Sequence, residues 1–225
     1  MASTKLASTK LGLAPAWAMI MSCAMIFVAT DARAQTEFDP AQIAEWRNHI
    51  FKGQTTYRLV EKDGRRAVHA ACSASASGLF MERVIDLRET PILEWSWRID
   101  ELPPMTADER SRAGDDFVAR IYVVRDGGLL RWRTRAISYV WANTSPEGSD
   151  WPNPYADQAR MVAVRSGASG PGRWHTQRRN IREDFRRYHG LDLESIDAVA
   201  VMTDCDDSGG RAEAWYGALR FLPLD

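Results

Sequence analysis

Histidine and cysteine are scarce in this chain. Its 225 residues hold four histidines, His49, His69, His175 and His189, and three cysteines, Cys23, Cys72 and Cys205. Neither set has the spacing of metal ligands, so no zinc signature is present. A nucleophile elbow and a phosphate-cradling glycine loop are also absent. There is no internal repeat and no low-complexity tract, and the recurring helical segments that a βαβ fold requires are missing. Charge of one sign is not in excess either. The 29 basic and 30 acidic residues give a net charge of −1, which does not favour nucleic acid or anionic lipid as a partner.

The long uncharged run is confined to the start of the chain. Lys5 and Lys10 precede an uncharged stretch from Leu11 to Thr30, and Ala32-Arg33-Ala34 is a small-x-small cleavage signal. Together these read as a signal peptide over residues 1–34, which predicts a periplasmic or secreted protein beginning at Gln35. The run is also long enough to serve as an uncleaved anchor, but Pro15 and Ser22 weaken it as a permanent span. A lipid anchor on Cys23 does not fit, because the apolar run continues through Val28 beyond that cysteine. Removing Lys5, Lys10, Arg33 and Asp31 leaves 26 basic and 29 acidic residues, a balance of −3. Residues 35–225 suit a single domain with a sizeable core. Two cysteines remain there, Cys72 and Cys205. Two free thiols are the favoured reading and a bridge is the other, since spacing alone says nothing about Cα proximity.

From Thr55 onward, β-forming segments alternate with turn chemistry. Asp63-Gly64 between Thr55–Glu61 and Arg66–Ser73 is a hairpin signal. Further strands are expected at 79–86, 92–99, 117–125, 136–142, 161–164, 174–179, 196–203 and 212–222. A short helical turn is expected near 40–46. Asn180 as cap, Glu183 three residues later and Gly190 as terminator mark one short helix. Nine or ten short strands with one small helix predict an all-β, two-sheet, jelly-roll-like sandwich. The polar, proline-rich stretch 143–157, with Trp151-Pro152-Asn153-Pro154-Tyr155, is long enough to be a functional loop.

Strand alternation separates core from surface. Leu93, Trp95, Trp97 and Ile99 share one face, opposite Glu94, Ser96 and Arg98. Phe117, Ala119, Ile121 and Val123 likewise oppose Arg120 and Tyr122. If the outward sets are neighbours, Glu94, Arg98, Arg120 and Tyr122 form a polar strip, joined by Trp141 or by Ser138. Such a strip would bind a glycan or another cell-envelope ligand through arginine and tyrosine hydrogen bonds and aromatic stacking, with Asp116 at its rim. The opposing reading is a solvated sheet face with ordinary cross-strand pairs.

Asp204-Cys205-Asp206-Asp207-Ser208-Gly209-Gly210 is the densest acidic cluster, and Asp115-Asp116 precede the Arg120 strand. Asp115, Asp204, Asp206 and Asp207 form an oxygen set for calcium if they converge, although the spacing is not that of an EF-hand. The alternative is a turn in which the aspartates bond their own backbone. Glu94 with Asp116 would be the acid/base pair of a glycan hydrolase or lyase, with Arg120 as electrostatic stabiliser, provided their carboxyls lie about 5–9.5 Å apart. A third reading is an assembly partner without a small ligand.

The segments Phe51-Lys52-Gly53-Gln54-Thr55-Thr56-Tyr57, Ser75-Ala76-Ser77-Gly78-Leu79 and Trp95-Ser96-Trp97-Arg98 occur in this order along the chain. Gly114-Asp115-Asp116-Phe117-Val118-Ala119-Arg120-Ile121-Tyr122, Tyr139-Val140-Trp141-Ala142 and Met202-Thr203-Asp204-Cys205-Asp206-Asp207-Ser208-Gly209 follow them. Taken together they resemble a bacterial family of exported proteins, domain of unknown function 3047. The resemblance implies an exported single domain and supplies no activity, substrate or catalytic residue. Cys205 stands where the family pattern leads one to expect a small hydroxyl residue, which speaks against a structural role for it.

Overall fold

Alternating apolar residues give each strand one face that must be buried, and a sandwich of two sheets satisfies them all. The computed structural model describes residues 35–105, 107–168 and 170–224 together with Met1. Apart from Met1, the expected leader therefore lies outside the described residues, and Arg33–Asp225 forms one compact unit. The elements begin with β1 (Thr36–Phe38), α1 (Pro40–Ala44), β2 (Arg47–Lys52), β3 (Thr56–Lys62), β4 (Arg65–Ser73), β5 (Ala76–Asp86), β6 (Ile92–Ile99) and β7 (Arg120–Arg125). They continue with β8 (Arg135–Ala142), β9 (Asp150–Pro152), β10 (Ala159–Ser166), β11 (His175–Asn180), α2 (Ile181–His189), β12 (Ser195–Asp204) and β13 (Arg211–Leu222).

The smaller sheet has the order β11-β6-β13-β4-β3, with β1 also on β13, and the larger has the order β2-β5-β12-β7-β8-β10-β9. Pairing is antiparallel except between β8 and β10. The architecture is the all-β, jelly-roll-like sandwich that the alternation predicts. Among the described residues no helix is long and apolar enough to cross a membrane.

Local chemistry explains the well-read elements. Lys62 pairs with Arg65 across a two-residue loop. Asp63 and Gly64 both take positive φ, 53° and 71°, as a hairpin turn matched to strand twist requires. The Asn180 side chain accepts from the Glu183 N–H to open α2, and Gly190 closes it at φ 67°. In the core, Trp95 and Trp97 of β6 reach across to the other sheet. Trp95 lies 5.4 Å from Tyr139 and Trp97 lies 6.1 Å from Trp141, all four fully buried. Burying such a side chain contributes about 1.5–3 kcal/mol.

The alternation around β7 slips by one residue at its start. Ala119, Ile121 and Val123 enter the main core as expected, but so does Val118. Phe117 instead joins a second cluster with Val140, Trp151 and Met161. Residues 117–119 precede the regular strand, so the period-2 rule does not bind them.

Cys72 and Cys205 are joined in a disulfide, with Cα atoms 6.1 Å apart. This corrects the reading of two free thiols. β4 belongs to the smaller sheet and Cys205 directly follows β12 of the larger, so the bond ties the two layers together at one end. Cys205 therefore does have a structural role.

Candidate functional site

Arginine is hard to bury, yet Arg120 is 1 % exposed. It sits at the first position of β7, and its side chain leaves the outer face of the larger sheet toward the loops at the strand ends. Its Nε donates to Asp204 Oδ1 at 2.9 Å, and one terminal nitrogen pairs with Asp204 Oδ2 and donates to the Asp115 carbonyl. The other terminal nitrogen lies 3.4 Å from Asp115 Oδ2 and 3.2 Å from the Tyr122 hydroxyl. The Phe117 ring covers the guanidinium at 4.6 Å. Burial works against this charge, but the Asp115 and Asp204 carboxylates hold the guanidinium's pKa well above its ordinary value.

Asp115 and Asp116 are presented by a tight turn over Arg112–Gly114. A side chain at Gly114 would meet the Asp108 carbonyl oxygen at 2.4 Å, so only glycine fits there. Asp116 then reaches the 204–210 turn, where Oδ1 accepts the Asp207 N–H at 3.1 Å and Oδ2 the Ser208 N–H at 2.6 Å. The turn is thus capped by a carboxylate from another loop, where the sequence had suggested aspartates bonding their own backbone.

Next to this acidic end lies a cleft of about 490 Å³, lined by Phe51, Lys52, Tyr122, Tyr155 and Met202 among others. Phe51 belongs to β2 and Tyr155 follows β9, the two edge strands of the sheet, which would lie about 29 Å apart were the sheet flat. They share one cleft because the segment after β9 reaches back. Asn153 Oδ1 accepts the N–H groups of Tyr155 and Ala156, each at 3.0 Å, shaping a local turn. The Tyr155 hydroxyl then donates to Asp207 at 2.8 Å. Burial and that bond push the Tyr155 pKa up to about 12. Lys52 Nζ faces Asp206 Oδ2 at 3.4 Å. Burial raises the Asp115 carboxyl above the ordinary range against the pull of Arg120. Asp207 is raised by burial, opposed by its Tyr155 bond.

The polar strip expected from alternation does not form. Glu94 and Arg98 lie on β6 of the smaller sheet, and Arg120 and Tyr122 on β7 of the larger. Arg98 pairs with Asp63 and Asp100, and Glu94 pairs with Arg220. Trp141 is fully buried between the layers, and Ser138, opposite Tyr122, is the residue of β8 that shares its face. Glu94 stands on β6 of the smaller sheet, whereas Asp116 lies in the loop before β7 and bonds Asp207 and Ser208, so the two are not brought together as a pair. Of the expected residues, Arg120, Tyr122, Asp115, Asp116, Asp204, Asp206 and Asp207 do gather around one cleft end. Among the described residues, the three whose oxygens converge within 4.8 Å of one another are Asp116, Asp204 and Asp206. Asp115 and Asp207, expected in the oxygen set, lie outside that trio, and Asp116 takes part in it. Phe51, Lys52 and Tyr155 were missed as site residues. Their signals were Phe51-Lys52 in the family-like motif and Tyr155 in the proline-rich loop.

The model of a protein family described as protein of unknown function (DUF3047) matches residues 44–220. The chain belongs to that family. No curated protein matches it in sequence. Among solved structures it is similar to the xyloglucanase domain of NopAA, a type three effector from Sinorhizobium fredii, in complex with cellobiose. That match has 12 % identity and a TM-score of 0.42, over 76 % of this chain and 90 % of that one. It is also similar to a thermostable cellulase derived from the Cel12A cellulase of Rhodothermus marinus. Here identity is 10 % and the TM-score 0.36, over 84 % of this chain and 97 % of the other.

Proposed function

We propose that this DUF3047 domain binds a glycan of the cell envelope in the cleft on the outer face of the larger sheet, after export directed by residues 1–34. The observation that carries the reading is a pair of exposed aromatic rings on one cleft. Phe51 is 58 % and Tyr155 54 % exposed, although most large apolar side chains among the described residues are buried. Aromatic faces left in water at a cleft suit stacking on the apolar face of a pyranose ring, and the flanking Asp206, Asp207 and Lys52 suit its hydroxyls. Arg120 in this reading is a positioning residue, since its donors are taken by Asp115, Asp204 and Tyr122.

The test is a glycan array of cell-wall and exopolysaccharide fragments followed by calorimetry. Saturable binding is expected. Phe51→Ala and Tyr155→Ala should each weaken it about tenfold, equivalent to about 1.4 kcal/mol of stacking, with thermal stability unchanged in Phe51→Ala and slightly lowered in Tyr155→Ala, which also loses the bond to Asp207. Tyr155→Phe keeps the ring and should retain most of the affinity. An array without signal, or alanine variants that bind as the parent does, would overturn the proposal.

A further inference from the structure

The acidic end of the cleft holds more negative charge than its cations offset. Asp115, Asp116, Asp204, Asp206 and Asp207 gather there, and the cations paired with them are Arg120 and Lys52. Three of these carboxylates offer oxygens that lie within 4.8 Å of one another. Two ion–oxygen bonds of about 2.3–2.6 Å span that separation. A second observation points the same way. Asp115 is 5 % exposed and lines the cleft; one of its carboxylate oxygens faces Arg120, and the other is buried without any hydrogen-bond donor. A buried carboxylate oxygen left without a donor is costly, and native structures rarely keep one without an ion, a water or a proton beside it.

We propose that Asp116, Asp204 and Asp206 bind a divalent cation of the calcium class, with the donor-free oxygen of Asp115 at its edge. The donor set selects the ion. All the candidate ligands are carboxylates, and the adjacent Cys205 is held in the disulfide, so the set suits a hard cation better than zinc. Magnesium demands near-ideal octahedral geometry, whereas calcium tolerates carboxylates whose directions are set by other duties. Those duties are visible here. Each Asp116 oxygen accepts one backbone N–H, which leaves it a lone pair for an ion. Asp204 faces the guanidinium and can bridge it to the ion. The bound cation would fasten the Asp115-Asp116 segment to the 204–208 turn and so fix the rim of the cleft. The site does not depend on what the cleft binds, because the metal alone is its probe.

Terbium luminescence sensitised by Tyr155 and thermal melts in calcium or in chelator, both at neutral pH on the disulfide-intact protein, test this. One saturable site is expected. Its melting temperature should rise by roughly 5–10 °C at a hundredfold excess of calcium over Kd. Asp206→Asn removes a ligand charge without touching the Arg120 pair, and should weaken binding about tenfold or more while the melt in chelator stays near parental. Lys52→Met removes the competing cation 3.4 Å from Asp206 and should tighten binding several-fold. A merely structural acidic cluster would not give opposite shifts in these two variants. The absence of saturable binding at about 10 mM calcium, or equal affinity in parent and Asp206→Asn, overturns the site.

Discussion

Replacing Arg120 by methionine should be among the most damaging single changes in this protein. The substitution keeps an extended apolar side chain and removes every polar contact of the guanidinium: two to Asp204, two to Asp115 and one to the Tyr122 hydroxyl. What remains is two buried carboxylates, Asp115 at 5 % and Asp204 at 3 % exposure, with no cation between them. Breaking a buried ion pair from one side costs about 3–5 kcal/mol, against a typical total stability of about 5–15 kcal/mol. With a urea dependence of about 2 kcal/mol per molar, the denaturation midpoint should fall by roughly 1.5–2.5 M. The assay is equilibrium urea denaturation followed by tryptophan fluorescence, extended to a double-mutant cycle. Asp204→Asn strands the guanidinium in the opposite sense, so it too should be costly alone. The double variant should lose about 2–3 kcal/mol less than the two singles added together. If Arg120→Met costs less than about 1 kcal/mol, the pair behaves like a hydrated surface bridge and its place at the centre of the site is wrong.

The disulfide gives an independent prediction. Cys72 and Cys205 are 133 residues apart, and closing a loop of that length restricts the unfolded chain by up to about 5 kcal/mol, of which about 2–4 kcal/mol is ordinarily realised. The Cys72→Ala/Cys205→Ala protein should melt roughly 6–12 °C lower, and an unchanged melt would refute the bridge as a stabilising element. A pH effect is expected from His189. Its ring nitrogen bonds the Ala136 carbonyl at 3.0 Å, and burial lowers its pKa below the ordinary 6.5, helped by Arg135 and Arg160. A depressed folded pKa means stability that is present above 6.5 and lost as pH falls through the folded value. Urea midpoints should therefore drop from pH 7 toward pH 5, and His189→Gln should flatten that slope. An imidazole that titrates at or above 6.5 by NMR would remove the basis of this prediction.

The fold was legible because its signals are local. The alternation of Leu93, Trp95, Trp97 and Ile99, the Asp63-Gly64 turn and the Asn180 and Gly190 caps each act within a few residues, and each forms as read. β1, β2 and β9 were not expected from the sequence. β2 is exposed at almost every position, and the other two are three residues long, so none carries an alternation to find. The polar strip failed for a different reason. Alternation tells which side chains leave the core, but a sandwich has two outer faces and the rule is the same for both. Glu94 and Arg98 were therefore placed beside Arg120 and Tyr122, although β6 and β7 enter opposite sheets. The disulfide and the Asp116 cap share this limit, since both depend on distances that no periodicity encodes.

Three separate constraints converge on the segment Asp204–Ser208, and they act on different atoms. The disulfide holds Cys205 to the smaller sheet, Arg120 holds the Asp204 carboxylate to the larger, and Asp116 holds the backbone of Asp207 and Ser208. A turn needed only to reverse the chain from β12 into β13 would not require all three, because glycine at 209, with φ 67°, already supplies the reversal. The constraints instead fix where the Asp206 and Asp207 carboxylates stand relative to Lys52 and Tyr155. The Arg120 pair is also costly to build, since buried charges contribute less to stability than well-packed apolar residues of the same volume. The folding of a plain sandwich does not explain charge buried at that point. The proposed binding role would account for it, because a rim whose side chains are already fixed loses less entropy when a ligand or an ion arrives.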